Sequence, residues 1–430
     1  MSTESVLDQS LISGFDFSRL PGAAANLRAQ SLKRFSEIGL PTRRSEEWRY
    51  TDLNALAGKG LRPALPSAAE VPADVLAVPA PRIVLINGFY SAAHSELGPQ
   101  VRGFRVRTMT EALKDGSIHE KFFGGAGHGD GLKSLHQAFL ADGVHVEISD
   151  DVSLENTIHI INLTVAGTEP LLVSPAALVT VGRASRASLV EMFVHSGRGL
   201  YWSNAKTAIK LGENARLHHV KIQNESAEAY HVGNAEAEIG AGAVYDSFVF
   251  SAGGKVARNE LSALLRGTEA AAILNGLYLS REGQVQDCFT VVDHAVAHAK
   301  SEQYYKGVLA ERSRAVFNGK IIVRRDSQKT DSSQLNRNLL LGPGAEIDTR
   351  PQLQIDADDV KCSHGASIGR PNPEELFYLE SRGLSREQAG HLLCVGFAED
   401  LVQKIDDKRA RHEVQNILTE VFSQMKVNLK

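Results

Sequence analysis

The sequence predicts a mainly β protein: a right-handed parallel β-helix, or solenoid, with a helical domain on each side of it. Between residues 144 and 369 the chain repeats one cadence, in which a short strand, a tight turn at a glycine and a second strand follow each other. The turn glycines Gly182, Gly212, Gly240 and Gly267 recur 27 to 30 residues apart. A β-sandwich is the alternative, but a steady period with a recurring turn favours a solenoid, whose coils bury their apolar faces against each other.

Alternation of side chains supports the strand assignment within this repeat. Ala235, Ala237 and Ile239 share one face of a strand, whereas Glu236 and Glu238 lie on the other face. Successive residues of a strand point to opposite sides. The pattern therefore predicts strands with one apolar and one polar face, as expected for the wall of a β-helix.

The N-terminal region, residues 1–62, is predicted to be helical. Apolar residues recur there at near-helical spacing, and Gly39 followed by Pro41 supplies a stop. These apolar residues are Leu27, Leu32, Phe35 and Ile38. We interpret the next segment, PTRRSEEWRYTDL, as a charged helix start in which Trp48 and Tyr50 are packing anchors.

A Pro/Ala linker and a mixed α/β connection are expected over residues 63–143. Five of the fourteen prolines fall within residues 63–81, which is typical of an extended linker. The segment PRIVLINGFY that follows predicts a strand running into a turn. The glycine-rich segment at 124–131 lacks the Gly-Lys-Ser/Thr sequence of a phosphate-binding loop, because a leucine separates its last glycine from the next lysine. We interpret it as a flexible loop.

Residues 370–430 are predicted to form a C-terminal helical domain. Ser385 and Gln388 have the spacing of a capping box, and an apolar stripe follows on one helix face. This stripe comprises Ala389, Leu393, Phe397, Leu401 and Ile405. A second amphipathic pattern comprises Val414, Ile417, Leu418, Val421, Phe422 and Met425. A small helical unit after a solenoid can close the open end and present a docking surface.

Composition and charge exclude several classes of function. The formal net charge of −4 provides no basic field, so binding to nucleic acids or anionic membranes is not indicated. No apolar run approaches the roughly 18–20 residues of a membrane span. The first residues lack the basic and apolar regions of a signal peptide. An odd number of cysteines, three, fits a reducing compartment, so we expect a cytoplasmic, multi-domain protein.

The histidine pairs of the sequence do not fit a metal site. His294 and His298 lack the glutamate of the HExxH zinc signature and lie in a strand-like segment. His218 and His219 are adjacent, so on a strand they face opposite ways. We expect a structural role for each of these histidines.

Asp356, Asp358 and Asp359 raise the alternative of a carbohydrate-active β-helix enzyme. Such an enzyme needs two carboxylates that converge on one glycosidic bond. The neighbouring coil offers no matching aromatic platform or basic residue. A solvated turn is therefore the preferred interpretation of this segment.

The segment Asp-Val-Lys-Cys-Ser-His-Gly, residues 359–365, is the exception. Val360, Cys362 and His364 have the same parity, so the thiol and the imidazole project from one face of a strand about 6.6 Å apart. Both groups suit the ligation of iron–sulfur clusters or zinc. Two ligands are not four, so a complete site would need another chain. Two interpretations stay open: a half-site of this kind, or Cys362 as a small core residue on the same inward face as Val360.

Four segments resemble those of the SufB/SufD family of the SUF iron–sulfur cluster assembly system. KTDSSQLNRNLLLGPGAEIDTRPQLQIDADDVKCSHGASIG at 329–369 resembles the family signature, and PEELFYLESRGLSREQAGHLLCVGFAEDLVQKI at 373–405 resembles its C-terminal helical segment. RRSEEWRYTDL at 43–53 is similar to the N-terminal motif. DHAVAHAKSEQYYKGVL at 293–309 is similar to a further block, although Ala297 stands where proline is usual. The short chain, the few cysteines and the sequence NRNLLL favour the cysteine-poor branch of the family over SufB.

The resemblance implies a non-catalytic scaffold subunit that pairs with SufB through its β-helix and binds the SufC ATPase through its C-terminal helices. The residues expected to dock SufC are Leu393, Phe397, Leu401 and Ile405. The cluster-site histidine of the family corresponds to His364, and the motif cysteine beside it to Cys362. A transient iron–sulfur cluster is thus expected at the interface with SufB, completed by ligands from both chains.

Further partners are implied by the same resemblance. The cysteine desulfurase SufS and a sulfur-transfer protein would supply sulfur indirectly. Reduced flavin is associated with the family's complex, but no residue of this chain can be assigned to it. An unpaired solenoid edge also predicts a homodimer of the isolated chain. The alternative functions are the sulfur-accepting role of SufB and, as a different class, the carbohydrate-active enzyme.

Overall fold

The structure of this chain is a computed structural model in which residues 16, 25–66, 69–115 and 131–425 are described. The helices are α1 (Ala25–Ile38), α2 (Met109–Lys114), α3 (Gly131–Ala138), α4 (Pro373–Ser381), α5 (Arg386–Val402) and α6 (Lys408–Gln424). Single 3-10 turns cover Glu46–Trp48 and Asn54–Leu56. None of the helices within the described residues combines the length and apolar character of a membrane span.

Short strands precede the repeating part of the molecule, and longer strands build its coils. The first group is β1 (Arg62–Pro63), β2 (Arg82–Ile86), β3 (Phe89–Tyr90) and β4 (Phe104–Thr108). The second group begins with β5 (Val144–Ile148), β6 (Ile158–Val165), β7 (Leu171–Val173), β8 (Ala176–Val181), β9 (Arg186–Ser196), β10 (Tyr201–Leu211), β11 (Arg216–Gln223), β12 (Tyr230–Ile239) and β13 (Val244–Ser251). It continues with β14 (Val256–Leu265), β15 (Ala271–Ser280), β16 (Val285–His294), β17 (Lys300–Leu309), β18 (Arg314–Val323), β19 (Asp331–Leu340), β20 (Glu346–Ile355) and β21 (Lys361–Gly369).

Consecutive coil strands lie alternately in two sheets. Sheet A has the order β20-β18-β16-β14-β12-β10-β8-β5-β4, and sheet B the order β21-β19-β17-β15-β13-β11-β9-β6-β2-β3. Each long strand pairs in parallel with the strands one coil before and after it, as β12 does with β10 and β14. This arrangement is the parallel β-helix predicted for residues 144–369, with about eight coils.

The predicted alternation holds in the wall of the solenoid. Ala235, Ala237 and Ile239 of β12 point into a core shared by both sheets and are buried. Glu236 is partly buried and Glu238 is exposed on the outside. The inward faces of all coils stack along the axis, so burial of apolar surface, at about 25 cal/mol per Å², is distributed over the whole solenoid.

The turn glycines are required by the stacking of one turn on the next. A Cβ built on Gly182 would lie 2.5 Å from the backbone nitrogen of Asp150, and one on Gly240 would lie 2.9 Å from the carbonyl oxygen of Leu211. Real Cβ atoms do not approach backbone that closely. Glycine thus recurs at these positions because neighbouring coils stack too closely for a side chain.

The N-terminal part of the described chain is mixed rather than helical throughout. The helix predicted from the apolar spacing is α1, but the expected charged helix start at 41–53 is wrong, since only the 3-10 turn at Glu46–Trp48 forms there. Trp48 is buried as expected and Tyr50 partly so. A residue of the solenoid anchors this segment, because the guanidinium of Arg258 on β14 stacks 4.0 Å above the Trp48 ring.

The segment predicted as linker and connection also contributes strands. The strand and turn expected in PRIVLINGFY are β2 and β3, and β2 pairs in parallel with β6 of sheet B. β4 and β5 pair antiparallel in sheet A. Most of the glycine-rich segment at 124–131 lies outside the described residues, and its last glycine begins α3.

The C-terminal helices pack on the outer face of sheet B. Ser385 and Gln388 form the predicted capping box at the start of α5. The stripe of α6, from Val414 to Met425, is buried against outward-facing residues of sheet B such as Phe248. The expectation that these helices close the open end is wrong, because their apolar faces match the apolar outer side of sheet B instead.

The last coil of the solenoid therefore remains open. β20 and β21 are the final strands of their sheets, and each pairs with a single neighbour among the described strands. Their residues are mostly exposed or partly buried, whereas earlier strands are mostly buried. Unpaired backbone N–H and C=O groups at such an edge can accept a further strand.

Candidate functional site

The predicted ligand pair lies on the open edge strand. Cys362 is opposite Ser332 and His364 opposite Gln334, both on β19. Ser332 and Gln334 point into the solenoid and are buried. Since paired residues on adjacent strands point to the same side, Cys362 and His364 share the inward face of the last coil, as their parity predicted.

Cys362 is half-covered by the core. Its side chain packs with Val360 against Ile321 and Val323. Burial, followed by the charge of Asp331, raises the pKa of the Cys362 thiol above its usual range. The thiol is thus mostly protonated at neutral pH, and a metal that binds it must displace the proton.

His364 is exposed and has no covering coil. Directly beneath it, Gln334 donates through Nε2 to Oε1 of Gln303 at 3.3 Å. The other amide atom, Oε1 of Gln334, is buried and accepts no hydrogen bond within the described residues. This unpartnered acceptor belongs to the residue directly opposite His364 in the pairing of β19 with β21.

The pair does not form a complete metal centre within this chain. In the part of the chain that the structure describes, no third His, Cys, Asp or Glu joins Cys362 and His364 in a group with ligand atoms within 4.8 Å. Iron–sulfur clusters and structural zinc need about four ligands. Within the described residues, the edge therefore offers one thiol and one imidazole on the inward face of an open last coil, without further ligands.

Comparison with known proteins decides the family. The family model described as the SUF system FeS cluster assembly SufBD core domain matches residues 163–397, and that of the SufBD protein N-terminal region matches residues 22–160. The chain belongs to the SufBD family.

Several curated relatives extend over nearly the whole SufBD chain. This chain is 30% identical over 391 residues to the iron-sulfur cluster assembly protein SufD of Escherichia coli, and the match covers 90% of each chain. It is also 30% identical to an iron-sulfur cluster assembly SufBD family protein of Synechocystis, covering 94% of this chain and 91% of the relative. The SufD protein of Bacillus subtilis is 22% identical, with 97% and 98% covered.

The other two cysteines of this SufBD protein are structural in character. Cys288 faces inward on β16, and burial raises the pKa of its thiol. Cys394 is on α5 on the side that packs on sheet B, and burial raises the pKa of its thiol to about 12. Cys362 is the one cysteine of the three with substantial exposure.

The two members of each histidine pair lie in different environments. His294 is buried with Nε2 2.9 Å from the Ser301 hydroxyl, and burial lowers its pKa to about 4. His298 is exposed in a turn. His219 faces inward to the Tyr245 hydroxyl at 2.9 Å, whereas His218 faces outward, as their adjacency predicted.

The three aspartates lie in a solvated turn. Asp356, Asp358 and Asp359 are exposed between β20 and β21. Asp359 pairs with Lys329 of the preceding coil, and its backbone N–H donates to the amide of Gln328 at 2.9 Å. This is the solvated turn expected for these three aspartates.

The four residues predicted to dock the ATPase differ in burial. Leu401 and Ile405 have no exposed surface and belong to the contact between α5 and sheet B. Leu393 and Phe397 are partly buried, and Phe397 lies over the Lys306 ammonium at 4.5 Å. Helical periodicity identified this apolar stripe correctly, but the stripe is covered by the chain itself.

Other apolar side chains of these helices are exposed. We call them the α4–α5 patch: Phe377, Tyr378, Leu392 and Val395. Phe377 is 72% exposed, which is unusual for a phenylalanine. Sequence reasoning missed this patch because none of its members belongs to the apolar stripe from which docking was predicted.

Sequence reasoning also missed a buried polar network inside the solenoid. Lys221 Nζ lies 3.0 Å from His231 Nε2, and His231 Nδ1 lies 2.7 Å from a carboxylate oxygen of Glu225. Burial lowers the pKa of Lys221 to about 8. The sequence did contain a signal for this network. Lys221 is four residues after the core residue Leu217 on β11, so both side chains point into the solenoid.

Proposed function

We propose that this chain is the SufD-type scaffold subunit of a complex with SufB and SufC, on which iron–sulfur clusters assemble. The observation that carries the proposal is the ligand pair itself: a thiol and an imidazole lie on the inward face of the open last coil, which no further coil covers among the described residues, and they lack further ligands there. A shared cluster needs ligands from both sides of an interface, and this chain supplies one side.

SufB is the proposed partner at that edge. Strands β20 and β21 present unpaired backbone groups and mostly exposed side chains. Addition of a partner strand satisfies such groups and brings the partner's ligands next to His364. We propose that two copies of the isolated chain can pair through the same edge, and that SufB replaces the second copy in the complex.

SufC is the proposed partner of the α4–α5 patch. The patch exposes two aromatic side chains on α4 and two aliphatic side chains on α5, and the opposite face of α5 packs on sheet B. Aromatic residues on rigid elements are the usual anchors of protein interfaces. ATP-driven movement of SufC is thus proposed to be transmitted through α5, which packs directly on the wall of the solenoid.

The role is a scaffold role and not that of the main sulfur acceptor. Two of the three cysteines are buried with raised pKa values, which disfavours the SufB-type alternative. Sulfur is proposed to reach the complex from the desulfurase SufS and its transfer protein through SufB. A flavin is proposed only at the level of the complex. The unpaired cysteines fit the reducing cytoplasm.

Coexpression tests this proposal. The tagged chain is purified from cells that also produce untagged SufB and SufC of the same organism, and copurified proteins are identified by mass spectrometry. Both partners should be recovered in stoichiometric amounts. Recovery of neither contradicts the proposal. Sulfane sulfur trapped on this chain, and not on SufB, after incubation with the desulfurase would assign the SufB-type role instead.

A further inference from the structure

Three ligand-type side chains meet on the outer face of sheet B, away from the half-site on β21. His218 of β11, Asp246 of β13 and Asp406 of the loop between α5 and α6 have one potential ligand atom each, all within 4.8 Å of one another. His218 Nδ1 lies 3.3 Å from a carboxylate oxygen of Asp246. Three different elements thus supply one nitrogen and two oxygens to a single point.

The imidazole of His218 has unmet bonding needs at this point. Both ring nitrogens are inaccessible to solvent, and neither makes a hydrogen bond within the described residues. The close approach of Asp246 therefore lacks hydrogen-bond geometry. A buried polar atom without a partner is costly, by about 1–3 kcal/mol, so an orphaned imidazole nitrogen beside two carboxylates indicates a missing ligand.

The surrounding structure holds the backbone at all three residues. His218 and Asp246 are direct partners in the parallel pairing of β11 with β13. Asp406 lies between two anchored residues: Ile405 is fully buried, and Asp407 caps α6 and accepts a hydrogen bond from Thr157. A site with ligands held in this way needs little rearrangement on binding.

We propose that His218, Asp246 and Asp406 bind one divalent transition-metal cation of the Zn²⁺ or Fe²⁺ class. Imidazole nitrogen with carboxylate oxygen suits these ions, whereas Mg²⁺ and Ca²⁺ prefer oxygen alone. Ligands at about 2.0–2.2 Å from one ion lie up to about 4.4 Å apart, so the observed separations need only a small side-chain shift. Water completes the coordination.

The site joins the C-terminal helices to the solenoid. Two ligands belong to the wall of sheet B, and the third belongs to the loop between the two helices that pack on it. A bound ion therefore holds α5 and α6 in place and stabilises the folded chain by an amount that increases with the logarithm of the free ion concentration above the Kd. It is independent of the cluster half-site, which lies on the open edge strand.

Metal titration of the full-length chain tests the proposal. Zn²⁺ is titrated in competition with a chromophoric chelator, in a Cys362→Ser/His364→Ala background so that the half-site cannot contribute. The parent should bind one equivalent, and Asp406→Asn should weaken this binding at least about tenfold. Asp326→Asn, which changes an exposed turn aspartate, is the matched control and should bind as the parent does.

Thermal unfolding provides a second measurement. Zn²⁺ should raise the Tm of the parent and of Asp326→Asn, but not that of Asp406→Asn. Asp406 is exposed, so its substitution should leave folding without metal unchanged. Equal binding by the parent and Asp406→Asn, no binding by the parent, or an equal loss in Asp326→Asn would overturn the proposal.

Discussion

His364 lies directly across from Gln334 on the adjacent parallel strand, and the buried Oε1 of Gln334 accepts no hydrogen bond within the described residues. An exposed ligand on an edge strand needs a partner that fixes its ring orientation. Gln334 is the neighbour that can do so, since Gln303 holds the other end of its amide.

Gln334→Met should therefore reduce cluster assembly while the chain still folds. The methionine keeps the volume but removes the acceptor, so we expect a several-fold lower cluster yield on the complex, measured by visible absorption. Gln352→Met on β20 is the control, because its amide donates to Asn318 and not toward the ligand pair. An unchanged yield with Gln334→Met would exclude the positioning role.

Cys362 should be the most reactive cysteine of the native chain, and its reactivity should depend on Asp331. Burial and then the charge of Asp331 raise the thiol pKa. Asp331→Asn removes a negative charge, so it should lower that pKa and increase the thiolate fraction at a given pH. Alkylation at pH 8, followed by mass spectrometry, should be roughly two- to threefold faster in the variant. A slower or equal rate contradicts this assignment.

Gly182→Ala should destabilise the solenoid. The new methyl group would meet the Asp150 backbone nitrogen at 2.5 Å, and stacked backbone cannot move away easily. We expect a loss of about 1–3 kcal/mol of stability, visible as a lower Tm. Gly167→Ala is the matched control, because no atom lies within 4 Å of its new methyl group. Equal Tm values for the two variants would refute the close-approach explanation.

Phe377→Asp should weaken SufC binding without changing the Tm. Phe377 is 72% exposed, so the substitution costs the folded chain little. Leu401→Asp should instead lower the Tm, because it buries a carboxylate against sheet B. Binding is measured by titration with purified SufC. Full affinity of Phe377→Asp for SufC would remove the α4–α5 patch as the docking surface.

Local patterns were predictable from the sequence. Ala235 and Glu236 alternate because strand geometry has a period of two, and Gly182 recurs with its counterparts because turns stack at a fixed distance. The capping box at Ser385 was also readable, since it depends on residues three positions apart. The parity of Cys362 and His364 placed both on one face for the same reason.

Contacts between distant segments were not predictable in this way. The apolar stripe through Leu401 was identified, but its periodicity does not say whether the chain itself or a partner covers it. His218, Asp246 and Asp406 meet only through strand pairing and helix docking, so no spacing reveals them. The stacking of Arg258 on Trp48 likewise joins residues far apart in the sequence. Because this contact is not visible in the local pattern, a helix was expected where a 3-10 turn anchored by Arg258 is found.

The most direct test of the scaffold account is cluster reconstitution on the purified complex with His364→Ala. The exposed imidazole has little role in folding, so binding to SufB and SufC should be nearly unchanged. The visible absorption of the reconstituted cluster should fall sharply, whereas His412→Ala, an exposed histidine of α6, should match the parent complex. Parent-level cluster formation with His364→Ala, or a stable stoichiometric cluster on the isolated chain, would contradict the account.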